Sequence, residues 1–259
     1  MTLGIHEHYG DVMASEPGVP DLRALDVAAL RRTVTPRTRL IVLNVPHNPT
    51  GAALDADTLH EVAAIAADAG ATLLVDEVYR FLEHGPGERV PAGADLGPHV
   101  VSVGVMSKSF ALAGLRIGWL ATRDARLLDA AARFKDYTTI CASAPAEVLA
   151  IVALRARDLS LGRSRAIVDP NLALVDGFMA RQSGRFRWTR PRGGPVGFPE
   201  LTAGVPIDRF TADLLAQEGV LLAPGSVFGH PGNHFRLGFG RLDLPVALAR
   251  LEAFADRTL

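Results

Sequence analysis

Ser107-Lys108-Ser109 stands out because the chain has only two lysines, Lys108 and Lys135, beside 25 arginines. Where basic positions are so biased toward arginine, a lysine at this one points to a need for an amine. A guanidinium stays protonated and is a poor nucleophile, whereas a lysine amine can condense with a carbonyl to form a Schiff base. Eight residues on stands Arg116, a fixed planar cation of the kind that grips phosphate. Two further stretches lie upstream, Asn48-Pro49-Thr50-Gly51 and Asp76-Glu77-Val78-Tyr79. The first, by itself, is also just a good turn. In the second, a spacing of three sets Asp76 and Tyr79 on the same side of a helical turn.

Each stretch follows a strand-like run. Leu40-Ile41-Val42-Leu43 is a short continuous apolar segment, the pattern of a strand buried on both faces. A helix over residues 55–69, with Leu59, Val62, Ala63, Ala66 and Ala69 on one side, ends at Gly70. The strand 71–75 then delivers Asp76 at its carboxyl end. Strand, helix and strand with short joints predict a parallel βαβ unit, and ligands gather at the carboxyl ends of such strands. A strand over 99–105 leads to Lys108, and 115–121 predicts a fourth. Before this unit, the periodicity predicts a helix over 22–34, stopped by Pro36.

Beyond Leu127 the pattern turns helical, over 124–134, 144–157 and 161–182, the last reading as a connecting helix between two domains. An α+β segment follows: strands at 186–189 and 196–201 around the turn Pro191-Arg192-Gly193-Gly194-Pro195, a helix at 208–218, strands at 220–223 and 234–240, and a helix at 244–255. The division expected is residues 1–158 and 159–259. Trp119, Phe110 and Cys141 read as core rather than chemistry.

Bulk properties exclude several functions. The 259 residues are 48% hydrophobic and 21% charged, with a formal net charge of −1, and give no support for nucleic-acid binding. A single cysteine rules out an intrachain disulfide framework and a cysteine metal cluster. No apolar run approaches the roughly 20 residues needed to span a bilayer, and the first residues lack a signal-peptide layout. A reducing, cytoplasmic setting fits. His6-Glu7-His8, in an irregular lead-in, reads as solvent-exposed side chains and not as a metal site.

The stretch Val105 to Trp119 resembles the lysine motif of pyridoxal-phosphate (PLP) enzymes of fold type I, specifically the class I/II aminotransferases. The two upstream stretches resemble the same family in the same order, and the likeness runs from about Leu22 to the C-terminus. It implies an α/β fold: an αβα large domain around a mainly parallel sheet and a small α+β C-terminal domain. By resemblance, Lys108 forms the Schiff base with PLP and shuttles a proton. Asp76 pairs with the pyridine nitrogen, though an Asp after a strand is also a common helix N-cap. Tyr79 and Asn48 hydrogen-bond the ring's phenolate oxygen, and Arg116 takes the phosphate with help from Ser107 and Ser109. Arg236, in His234-Phe235-Arg236-Leu237-Gly238, resembles the arginine that clamps the substrate carboxylate, with Gly225-Ser226-Val227-Phe228-Gly229 as the loop leading to it. Gly193-Gly194-Pro195-Val196 resembles the substrate-facing glycine turn, although a plain hairpin explains it nearly as well.

One departure is Val105, where the family commonly has a further phosphate-binding serine. Another is that no glycine loop followed by a helix, and no ring-stacking aromatic, precedes Leu22, so the large domain is expected to be incomplete at its N-terminus. The expected activity is amino transfer between an α-amino acid and a 2-oxo acid, in a homodimer by analogy, with no metal and no membrane. A PLP lyase or cyclase on the same scaffold, or a non-catalytic remnant acting as an interaction protein, are the alternatives.

Overall fold

The computed structural model describes residues 25–259 apart from 86 and 88. The His6-Glu7-His8 triplet and the start of the first expected helix lie outside the described residues. Helix α1 (Val27–Thr33) begins where the Asp26 carboxylate accepts the Ala29 N–H at 2.8 Å. Strand β1 (Leu40–Asn44), helix α2 (Ala56–Asp68) and strand β2 (Thr72–Asp76) form the expected parallel unit. Asp55 caps α2 through the Thr58 N–H at 2.7 Å, and Leu59, Val62, Ala63, Ile65 and Ala66 line its buried side. β3 (Val100–Val105) adds in parallel to β2, and β4 (Gly118–Ala121) returns antiparallel, giving the order β1-β2-β3-β4.

The sheet departs from expectation on its open face. Leu40 is 46% and Val42 51% exposed, while Ile41 and Leu43 are half-buried, so β1 is covered on one side only; Trp119 and Leu120 on β4 are exposed as well. Trp119 is therefore not core, although its ring fills the space above Gly104, where a Cβ would fall 2.4 Å from the ring. Phe110 is buried as expected, and Cys141 is exposed. The fourth strand starts later than predicted. Ala113–Leu115 forms a short 3-10 turn, and Arg116 takes a left-handed conformation (φ 55°) before the chain straightens.

Helices α3 (Ala125–Thr138), α4 (Ala144–Arg155) and α5 (Arg157–Arg181) follow. α5 starts earlier than predicted, directly after α4, and carries Pro170 inside it, a position with no N–H to donate. The remainder comprises β5 (Phe186–Arg187), β6 (Val196–Gly197), β7 (Glu200–Leu201), α6 (Ile207–Glu218), β8 (Ala223–Pro224), β9 (Phe235–Gly238) and α7 (Leu244–Thr258). The single strand expected over 196–201 is split, because Pro199 lacks the N–H a continuous ladder needs. The strand expected at 220–223 pairs only at Ala223–Pro224, while Val220 and Leu222 enter the core instead.

Three buried apolar clusters result. One joins α1, α2, β2 and β3 through Leu30, Val62, Ile65, Leu73, Val75 and Val100. A second packs Met106 and Phe110 against Ala150 and Ala153 of α4. The third runs from Val168 to Ala255, with Phe178, Phe186, Phe210, Phe235 and Phe254 in mutual ring contact.

Candidate active site

The carboxyl ends of β1 and β2 meet residue for residue, Asn44 beside Asp76. From Asn44 the chain enters a tight loop closed by His47 N–H to Ala52 O (2.8 Å) and Gly51 N–H to His47 O (2.7 Å). The loop presents Asn48, whose Oδ1 accepts from Arg236 Nη1 at 3.1 Å. The opposite end of that amide, the Nδ2 donor, is thereby turned away from Arg236. Asp76 Oδ1 accepts the Val78 N–H at 3.1 Å. Burial pushes the Asp76 carboxyl up, opposed by the Val78 N–H and by the Lys108 charge. Tyr79 is buried, and burial pushes its phenol up; Arg236 lowers it and Asp76 raises it further. Charges from β2 and β9 therefore act on one phenol, while the charge of the lysine turn acts on Asp76.

Lys108 is exposed, with Nζ 6.0 Å from the Tyr79 ring centroid. Its turn is held by Ala111 N–H to Lys108 O (2.9 Å) and Leu112 N–H to Met106 O (2.9 Å). Ser107 is half-buried beside it, and Arg116 is exposed with Nη1 on its own turn's Ala113 carbonyl at 3.0 Å. Ser109 corrects the expectation. It is 2% exposed, and its hydroxyl donates to the Val78 carbonyl at 3.2 Å, so it faces inward and braces the Asp76–Tyr79 segment rather than offering a phosphate contact.

The C-terminal contribution is Arg236 on β9, whose guanidinium lies 5.1 Å over the Phe228 ring. The glycine turn seals the junction. Arg192 and Gly193 N–H groups donate to Gly51 O (2.8 and 3.0 Å), and Gly194 N–H donates to Leu82 O (2.9 Å). Gly194 (φ 80°) lies so close to Tyr79 that a Cβ would sit 3.1 Å from its ring. This turn therefore packs on the tyrosine and is more than a hairpin.

Residues not singled out by sequence support the same space. Asn44 bonds both the Asn48 N–H and the Asp76 carbonyl. His84 Nε2 lies 2.7 Å from the Gly194 carbonyl, which fixes the proton on that nitrogen. Arg165 on α5 donates to the Phe81 and Glu83 carbonyls at 2.8 and 3.1 Å. An asparagine ending an apolar run four residues before Asn48 was the one available signal.

The donor set fits PLP. An accessible amine, a carboxylate with its ionised form opposed by burial, a buried phenol, an amide and an arginine lie within contact or electrostatic range of one another. Among the described residues there is no group of three or more side chains arranged to hold a metal, and no helix is long and apolar enough to cross a membrane.

Comparison with known proteins gives the same frame. The family described as aminotransferase class I and II matches residues 14–248. Capreomycidine synthase of Streptomyces vinaceus is 35% identical over 231 residues, covering 88% of this chain and 59% of that protein. A probable N-succinyldiaminopimelate aminotransferase of Mycobacterium tuberculosis is 34% identical over 268 residues, covering 93% and 65%. Among solved structures, a PLP-dependent aminotransferase from Streptococcus suis superposes with a TM-score of 0.84 at 33% identity, covering 90% of this chain and 62% of that one. A PLP-dependent cyclase gives 0.82 at 35%, covering 93% and 64%. The chain spans about three-fifths of the length of these relatives.

Proposed function

This chain belongs to the class I and II aminotransferases and has the PLP-dependent fold type I architecture, and we propose that it carries the catalytic centre of an aminotransferase acting on an α-amino acid and a 2-oxo acid. The observation that carries the reading is the convergence of Lys108, Asp76, Tyr79, Asn48 and Arg236 on one space. In this reading Lys108 holds PLP through its amine, Asp76 faces the ring nitrogen, and Tyr79 and Asn48 face the phenolate oxygen. Ser107 and Arg116 face the phosphate. When bound, PLP supplies an electron sink for negative charge developing at the substrate Cα.

The chain's own residues do the rest. Arg236 binds the substrate carboxylate through its planar fork, held in orientation by Asn48 Oδ1 and the Phe228 ring. A Lys108 amine not engaged with PLP would accept the proton from the substrate Cα and donate it to the cofactor carbon, a task a guanidinium cannot perform. The Asp76 carboxylate keeps a positive charge opposite it favourable in a half-buried setting. The Gly194 turn closes one side against Tyr79 and excludes water there.

A second reading, a PLP cyclase or lyase on the same site, is favoured by the 35% identity to capreomycidine synthase and to a solved cyclase. The residues above handle the cofactor and the carboxylate; they do not choose between fates of the Cα charge. The same proposal includes a PLP-binding domain over 1–158 and a small domain over 159–259, supported by the separate apolar cluster that begins at Val168. It also includes a cytoplasmic homodimer.

The test is a PLP titration of the purified chain followed by visible absorption, beside Lys108→Ala. A visible band in the wild type and none in the variant is expected, followed by product analysis with an amino-donor panel. A cyclised product with no 2-oxo acid formed selects the second reading. Absence of a band in the wild type overturns the claim that this chain alone holds the cofactor.

A further inference from the structure

We propose that Asn44 is a positioning residue of this site: its amide clasps the Asn48 loop to the Asp76 strand end, so that the side chains that would face the cofactor's phenolate oxygen and ring nitrogen are held together. The inference rests on the PLP reading above. Asn44 is the last residue of β1 and pairs in register with Asp76, the last of β2. Both ends of its amide are used. Oδ1 accepts the Asn48 N–H at 2.7 Å, and Nδ2 donates to the Asp76 carbonyl at 3.2 Å. That carbonyl also takes the Val45 N–H at 3.0 Å, so both of its lone pairs are engaged.

The loop is closed on itself by the His47 N–H to Ala52 O and the Gly51 N–H to His47 O. Pro46 and Pro49 have no N–H to donate, and the Asn48 N–H is the one beside the functional side chain that ties this loop to the end of β1. With its backbone held by Asn44 and its Oδ1 held by Arg236, Asn48 has its Nδ2 aimed by two independent constraints. Asparagine is the side chain that suits the place. Aspartate lacks the donor, alanine lacks both groups, and glutamine adds a methylene to a clasp already at hydrogen-bond length.

The experiment compares wild type, Asn44→Ala and Asn44→Asp by PLP titration, by the pH midpoint of the visible band, and by amide hydrogen exchange at Asn48 without PLP. If the loss of two ordinary neutral hydrogen bonds fell entirely on the PLP-bound state, it would correspond to about tenfold in affinity. Asn44→Ala is expected to weaken PLP binding by about that factor, to move the band's pH midpoint, to speed exchange at Asn48, and to lower kcat more than it raises KM. Asn44→Asp, which keeps the acceptor but sets a charged oxygen against the Asp76 carbonyl, should retain slow exchange at Asn48 and bind PLP more weakly than the wild type. Wild-type affinity and pH midpoint in Asn44→Ala, with only the melting temperature lowered, overturns the proposal and leaves the PLP reading standing. Should Asn44→Ala not fold, the same wild-type values in Asn44→Asp overturn it. A wild-type chain that takes up no PLP overturns both readings.

Discussion

His47 and His234 are held neutral by burial, which brings each down from its ordinary value of 6.5 to about 4; at His234 the neighbouring His230 and Arg187 add to the effect. In the unfolded chain both titrate near 6.5. Between that value and about 4 the unfolded state binds more protons, so folding stability is full above the window and falls as pH falls through it. Asp76 works the other way, since its raised carboxyl favours the folded state on protonation. The urea midpoint is therefore expected to fall mainly below about pH 6.5, and His47→Gln should flatten the slope, His47 contributing at most about 3 kcal/mol. Gly51→Ala tests the seam at one position. At φ 69° its new Cβ would lie 2.3 Å from Pro191 Cβ and 2.7 Å from the Val196 carbonyl, and a loss of about 2–4 kcal/mol is expected on chemical denaturation. Ser109→Ala should lower the thermal midpoint, because its buried hydroxyl is spent on bracing the Val78 carbonyl. Lys108, Asp76, Tyr79 and Asn48 were legible in the sequence because their residue types recur in a fixed order after strands. Asn44 and His84 were not, since their roles depend on partners 32 and 110 residues away.

At the scale of elements, the parallel βαβ unit and most helices could be read from periodicity and caps. Asp55, predicted only as the start of α2, caps it through the Thr58 N–H; Asp55→Ala should cost about 1 kcal/mol, read as a lowered thermal midpoint. What periodicity misread was one-sidedness. A continuous apolar run such as Leu40-Ile41-Val42-Leu43 looks identical whether one face or two is covered, and here Leu40 and Val42 remain exposed. Short strands in the C-terminal part were misplaced for a different reason. Two-residue ladders at Val196–Gly197, Glu200–Leu201 and Ala223–Pro224 are set by pairing partners, not by their own pattern. α5 links two regions: Arg165 bonds the Phe81 and Glu83 carbonyls, while Asn171 Nδ2 bonds the Phe239 and Arg241 carbonyls at 2.9 and 2.6 Å. Pro170 lies between them.

Across the whole molecule, apolar surface is unevenly covered. Val148, Leu149, Ile151 and Val152 on α4 are exposed, as are Phe134 and Tyr137 on α3 and Ile140 just after it. Exposed apolar side chains such as these bind environment-sensitive dyes. The chain alone is expected to enhance the fluorescence of such a dye, and Val148→Ser combined with Ile151→Ser should reduce the signal without altering the circular dichroism. The seam around the glycine turn bears on the order in which the molecule is made. Asn48 and Arg236 are joined across 188 residues, Arg192 and Ala53 across 139, and His84 and Gly194 across 110. Contacts this distant along the chain must await closure of very long loops, and such closures slow folding. During synthesis, the strand ends bearing Asn48, Asp76 and Lys108 emerge well before the segment that covers Tyr79 and supplies Arg236. The candidate site is therefore complete only once β9 has been made and has closed on the earlier strand ends.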